Sequence, residues 1–226
     1  MTQQIGALVI GQTPRPDLVD PLAALLPHVT IVQRGALDGL APADLPDPAG
    51  AAYPLTTRLR DGQLVTVPES FLLPRLQQRL DELEAEGILT NILLCAGTFA
   101  GLGGRGTLIN PFRITLAVAQ SLGLQKLGLI VPIPEQAPPV AARWQAAGFA
   151  TTVWAADILH QNAAMLAHCQ AQIQHHGLDA LLLDYVGYPA DAVANLRHNI
   201  PIPLLDLGDL ALRATASLIV KNLATD

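Results

Sequence analysis

One pattern, met twice, constrains this chain more than any other. Ile5-Gly6-Ala7-Leu8-Val9-Ile10 runs into the breaker-rich Gly11-Gln12-Thr13-Pro14-Arg15-Pro16-Asp17, and Leu127-Gly128-Leu129-Ile130-Val131-Pro132 runs into Ile133-Pro134-Glu135-Gln136. A short apolar run closed by such a turn reads as a buried strand leading into a loop. Downstream of each lies a second matched pair, Leu93-Leu94-Cys95-Ala96-Gly97 and Leu183-Asp184-Tyr185-Val186-Gly187. Gly6 and Gly97 stand 91 positions apart, whereas Gly128 and Gly187 stand 59 apart, so the first half carries about 32 extra residues. Strands alternating with helical stretches give an α/β fold. The reading is of two similar parallel-sheet α/β lobes, related by pseudo-twofold duplication, with a cleft between them.

The intervening segments fit that plan. Leu18, Leu22, Leu25 and Leu26 recur at helical spacing, as do Leu72, Leu76, Leu80 and Leu83, before a C-capping Gly87. Arg60-Asp61-Gly62 between two extended runs predicts a hairpin, and this insertion near 53–68 accounts for much of the extra length. Asn110-Pro111 predicts a helix start, and further helices are expected near 140–147, 159–176, 190–197 and 209–223. The first lobe is taken as 1–98 plus 206–226 and the second as 99–205. Half the residues are hydrophobic and 14% charged, a composition suited to sheets covered on both faces.

The same numbers exclude several functions. A net charge of -6 offers no basic run for nucleic acid. Two cysteines cannot build a disulfide framework, and the first residues lack the pattern of a signal peptide, so a cytoplasmic location is expected. The uncharged stretch Gly87–Gly104 contains five glycines and reads as strand plus loop, giving no membrane segment. Gly101-Leu102-Gly103-Gly104-Arg105-Gly106 matches GxGxxG, yet it opens no helix and no acidic residue follows before Glu135, which argues against a dinucleotide. The loop instead suits a small anion, with Arg105 as partner. No cofactor and no metal site are expected; His168, His175 and His176 fit a helix C-terminus better than a metal.

Ligands of parallel sheets bind beyond the carboxyl ends of the strands. The loops there bring forward Cys95, Tyr185, Thr13 and Arg15. A thiol at a strand end followed by the amide-rich Ala96-Gly97-Thr98 is the best candidate for chemistry, provided its pKa falls far enough to ionise. Cys169, on a helix face with Met165 and Ile173, is expected to be core.

Gly11-Gln12-Thr13-Pro14-Arg15-Pro16-Asp17, Leu94-Cys95-Ala96-Gly97-Thr98-Phe99, Val131-Pro132-Ile133-Pro134-Glu135-Gln136 and Leu183-Asp184-Tyr185-Val186-Gly187-Tyr188 together resemble the AroM family, over nearly the whole chain. That family resembles the aspartate/glutamate racemase superfamily, in which two lobes each contribute a cysteine that moves a proton next to a carboxylate without a cofactor. The resemblance implies Cys95 as the first thiol, while Tyr185 stands where many AroM relatives have the second. It further implies a cofactor-independent isomerase, racemase or decarboxylase acting on a small carboxylate, with Cys95 and Tyr185 catalytic. Gly11, Gln12, Thr13, Arg15, Ala96, Gly97, Thr98, Asp184 and Gly187 would bind substrate. The alternative is a carboxylate-binding protein without catalysis. A homodimer is expected by analogy with related folds.

Overall fold

The computed structural model describes residues 3–219. Its first sheet is wholly parallel: β1 (Gln3–Val9) lies between β2 (Val29–Gly35) and β5 (Thr90–Leu93), with β6 (Thr107–Ile109) beyond β5. The second repeats this order. β7 (Lys126–Val131) lies between β8 (Ala150–Ala155) and β9 (Ala180–Leu183), with β10 (Leu204–Asp206) beyond β9. Between the first sheet's second and third strands comes the antiparallel hairpin of β3 (Pro54–Arg58) and β4 (Leu64–Pro68), with Gly62 at φ +90° in its turn, where glycine avoids the Cβ penalty. The first lobe's extra length sits there: residues 36–68 lead from β2 to the next helix, against 156–162 after β8.

Strand register settles how the halves correspond. Gly6 faces Asn91 and Gly128 faces Leu181. A Cβ on Gly6 would lie 2.7 Å from Leu83 Cδ1, and one on Gly128 2.5 Å from Leu181 Cδ2, so both central strands need the glycine to admit a neighbouring side chain. At the strand ends Leu94 N–H donates to Leu8 O at 2.8 Å and Asp184 N–H donates to Ile130 O at 2.9 Å. Leu94 therefore corresponds to Asp184, and Cys95 to Tyr185.

The helices are α1 (Pro16–Leu25), α2 (Glu69–Ala85), α3 (Pro111–Ser121), α4 (Ala137–Ala146), α5 (Ala163–His176), α6 (Ala190–Asn199) and α7 (Leu207–Leu218). Local chemistry sets several of their ends. Asn110 Oδ1 accepts from Arg113 N–H and Asn162 Oδ1 accepts from Met165 N–H, each satisfying an orphan donor of the first turn, and Gly177 closes α5 at φ +57°. Strand alternation then sorts the apolar residues. Ile5, Ala7 and Val9 of β1 and Leu127, Leu129 and Val131 of β7 face one common core, filled by Leu22, Phe112, Trp144, Leu207 and Leu212, whereas Leu8 and Ile130 face separate outer cores. Helices α1, α3, α4 and α7 thus lie between the two sheets.

One feature departs from the sequence reading. Thr107–Ile109 is a strand where the sequence predicts no element, because three residues carry no periodicity, and its pairing with β5 carries the first sheet past residue 98. The closing helix packs against α1 and α3; the stretch 220–223 expected to extend it lies outside the described residues. Among the described residues no helix is long and apolar enough to cross a membrane.

Candidate functional site

Cys95 lies two residues past β5, is 7% exposed and packs in the outer core with Phe99, while Leu94 before it faces the common core. Gly97 N–H points back at its sulfur at 3.4 Å. That geometry requires glycine, since a Cβ on residue 97 would lie 2.6 Å from the Phe99 ring. The loop is held firmly: Asn110 Nδ2 donates to Gly97 O at 3.4 Å and Thr98 O at 3.3 Å, and Phe99 N–H donates to Glu69 Oε1 at 3.0 Å. Phe99 pays for this with φ +43°, a left-handed backbone uncommon outside glycine. Burial outweighs the Gly97 N–H and the nearby Arg143 charge, and pushes the Cys95 thiol up to about 12. The amides that could favour a thiolate are present, but removal from water outweighs them.

The residue that the sequence reading did not single out is Arg143, the one charged side chain of α4. Its guanidinium is buried where the lobes meet. One terminal nitrogen donates to Ala96 O at 2.7 Å and to Tyr53 OH at 3.3 Å, both in the first lobe. The other donates to both carboxylate oxygens of Asp184 in the second, and Trp144 Nε1 donates to the same carboxylate at 2.8 Å. The guanidinium also lies 4.7 Å over the Phe112 ring, while its Nε is buried with no partner among the described residues. A lone arginine beside a buried tryptophan, in a helix otherwise without charge, was the available signal.

Tyr185 is half-buried, its ring 4.7 Å from that of Tyr188, and burial raises its pKa as well. The Arg15 and Arg58 charges act the other way, and burial outweighs them. Gly187 holds φ +113°, where a Cβ would meet Leu18 at 2.6 Å. Asp184, only 2% exposed, is committed to Arg143 and Trp144.

The first loop proves less available than the sequence suggested. Gln12 spends its amide on Leu37 O, Leu40 O and Arg60 N–H, and its own N–H on Arg58 O. Thr13 gives its N–H and hydroxyl to Asp38, at 2.7 and 2.8 Å. Gly11 lies so close to the hairpin that a Cβ would sit 2.4 Å from Arg58 O. These three join the hairpin insertion to the sheet, and the donors of Gln12 and Thr13 are engaged within the protein. Arg15 is buried and bidentate to Asp17, at 2.8 and 2.6 Å, holding that carboxyl below its ordinary range.

The glycine-rich loop does cradle an anion, but one the protein supplies. Glu84 of α2 accepts from Arg105 N–H at 2.9 Å and Gly106 N–H at 2.8 Å, and these amides lower its pKa. A surface concavity lined by Gln170, Gln174, His198, Asn199, Ile200 and Pro201 opens at the other end of the second sheet, since Ile200 and Pro201 lead into β10.

Comparison with solved structures finds the same two-lobe architecture. Unliganded arylmalonate decarboxylase matches with a TM-score of 0.62 and 15% identity, over 96% of this chain and 92% of that one. Glutamate racemase from Francisella tularensis subsp. tularensis SCHU S4, in complex with D-glutamate, matches at 0.59 and 13%, over 96% and 81%. A mutant maleate cis-trans isomerase of Nocardia farcinica with a covalently bound succinylcysteine intermediate matches at 0.57 and 14%, over 94% and 90%. At these identities the likeness is one of fold. Comparison with curated proteins gives no match. The family model described as AroM protein matches residues 5–219, and with that span of agreement the chain belongs to the AroM family.

Proposed function

We propose that this protein is a cofactor-independent lyase that decarboxylates a small carboxylate and protonates the resulting carbanion from Cys95. The observation that carries the reading is the pairing of Cys95 and Tyr185 at equivalent strand ends, both with pKa values raised by burial. Racemisation or isomerisation by proton transfer needs a base on one side and an acid on the other. Here both sides hold a proton at neutral pH, a pair of acids. Decarboxylation asks for no base: the bond from carbon to carboxylate breaks, CO2 leaves, and its electron pair stays on the carbon, spread into an adjacent carbonyl or second carboxylate. The Cys95 S–H bond then supplies the proton, and the thiolate left behind accepts the Gly97 N–H before solvent reprotonates it. The substrate class is a small acid with a second carbonyl-type group on the reacting carbon. The Thr98 and Tyr185 hydroxyls and the Arg58 guanidinium are the proposed contacts for its oxygens, with Arg15 and Asp17 behind them. The fold's occurrence in arylmalonate decarboxylase supports the reading by analogy.

A second reading, carboxylate binding without turnover, is favoured by the closed, high-pKa thiol. One experiment separates the two. Substituted malonates and β-keto acids are incubated with the protein in D2O, and CO2 release and deuterium at the new C–H bond are followed by NMR. The lyase reading expects both signals, with a loss of at least about 100-fold in Cys95→Ala. Turnover unchanged in Cys95→Ala sinks it, and ligand-induced thermal stabilisation without deuterium uptake establishes the binding reading.

A further inference from the structure

Arg143 and Cys95 are linked through a single rigid unit. The carbonyl of Ala96, which accepts from Arg143, and the N–H of Gly97, which points at Cys95 Sγ, are the two ends of one peptide group. A peptide group is planar, so fixing its oxygen fixes the direction of its N–H. Hydrogen bonds in such a chain also polarise one another: a cation on the oxygen makes the N–H a stronger donor. The guanidinium in turn is aimed by Asp184, whose carboxylate it grips through the other nitrogen and which Trp144 holds from the side. Asp184 immediately precedes Tyr185, so one side chain ties together the residue after Cys95 in the first lobe and the residue before Tyr185 in the second.

We infer that Arg143 is a positioning residue for the thiol, acting through the Ala96–Gly97 peptide group to direct and strengthen the hydrogen bond that receives charge on the Cys95 sulfur. The inference rests on the proposed role of Cys95 as the reacting group. Nothing in it requires Arg143 to touch substrate. Its Asp184 partner leaves the pair neutral, so the charge reaches the sulfur as a polarised peptide dipole aimed from the loop.

The test uses two readouts that need no turnover. In protein labelled with 15N-glycine, the Gly97 amide resonance reports the N–H to sulfur contact. In parallel, peptide-resolved mass spectrometry follows iodoacetamide alkylation of Cys95 from neutral to alkaline pH. Arg143→Met is expected to move the Gly97 amide proton upfield and to slow alkylation about tenfold at a given pH, one unit of thiol pKa. Arg143→Lys, which keeps the charge but cannot bridge Ala96 O and Asp184 as a planar fork, is expected to fall between wild type and Arg143→Met on both measures. It also carries the test if the methionine variant does not fold. A merely structural role predicts the opposite sign: a loosened loop exposes the thiol and speeds alkylation at every pH. That result, or a Gly97 resonance unmoved in Arg143→Lys, overturns the inference. Missing CO2 release with both shifts as expected overturns only the lyase reading, and CO2 release with neither shift overturns only the role given to Arg143.

Discussion

Glu84 fills the glycine-rich loop of its own chain. Its carboxylate sits against the Arg105 and Gly106 amides in a loop whose glycines the sequence marks as an anion cradle. The loop was legible, but its occupant was not, because the two segments are joined only by the fold. Cys95 and the Asn110 cap were legible because strand ends and caps are local signals; Arg143 was not, since all its hydrogen-bond partners lie at least 41 positions away. Glu84→Gln leaves a side-chain NH2 facing a backbone donor, and is expected to cost about 2 kcal/mol at neutral pH by chemical denaturation. The pH dependence has a definite sign. A carboxyl with a lowered pKa contributes stability above its ordinary value of 4.5, and loses it as pH falls through the folded value, so the gap between wild type and variant should close on acidification. A gap that widens in acid would count against this account of the cradle.

At the scale of elements, the two halves cap equivalent helices differently. Asn110 opens α3 after β6 and Asp206 opens α7 after β10, where Oδ1 accepts from Gly208 N–H at 2.9 Å and Asp209 N–H at 3.2 Å. A buried amide costs little, whereas burial raises Asp206 to about 6 despite those donors. A group whose folded pKa exceeds its ordinary 3.8 contributes its stability below that value and loses it as pH rises through about 6. Asp206→Asn, which restores the first lobe's solution, should therefore stabilise the protein at neutral pH by on the order of 1–3 kcal/mol and flatten its stability profile between those two pKa values. Thermal unfolding across that range measures it; an Asn variant less stable than wild type at neutral pH would mean the charge serves the helix. The sequence reading recovered the hairpin from Asp61-Gly62 and the helices from their spacing. It lost β6 because a three-residue edge strand leaves no pattern, and α4 began earlier than expected because Pro138 and Pro139 are tolerated in a first turn.

The whole molecule is two lobes around one shared core rather than two bodies on a linker. The inward residues of β1 and β7 contribute to the same cluster, and α3 packs on α7 where the halves meet. Calorimetry should accordingly record a single transition whose calorimetric and van't Hoff enthalpies agree, despite a chain longer than most two-state domains. Two resolved transitions would show that the outer core of each sheet holds its lobe together without the shared one. The duplication was legible at this scale because the strand-ending motifs repeat in order, and the register of both central strands agrees with that alignment.

The correspondence of Cys95 with Tyr185 has a stereochemical consequence. On the proposed lyase reading, a trigonal carbon between the two strand ends offers one face to sulfur and the other to phenol, so a proton delivered only from Cys95 yields a product of one handedness. Because the lobes are related by pseudo-twofold symmetry, moving the thiol across the site in the double variant Cys95→Ala with Tyr185→Cys brings the proton to the opposite face. Chiral chromatography of the acid formed from a prochiral malonate should then find the mirror image of the wild-type product, and equal amounts of both forms would mean that the proton comes from water.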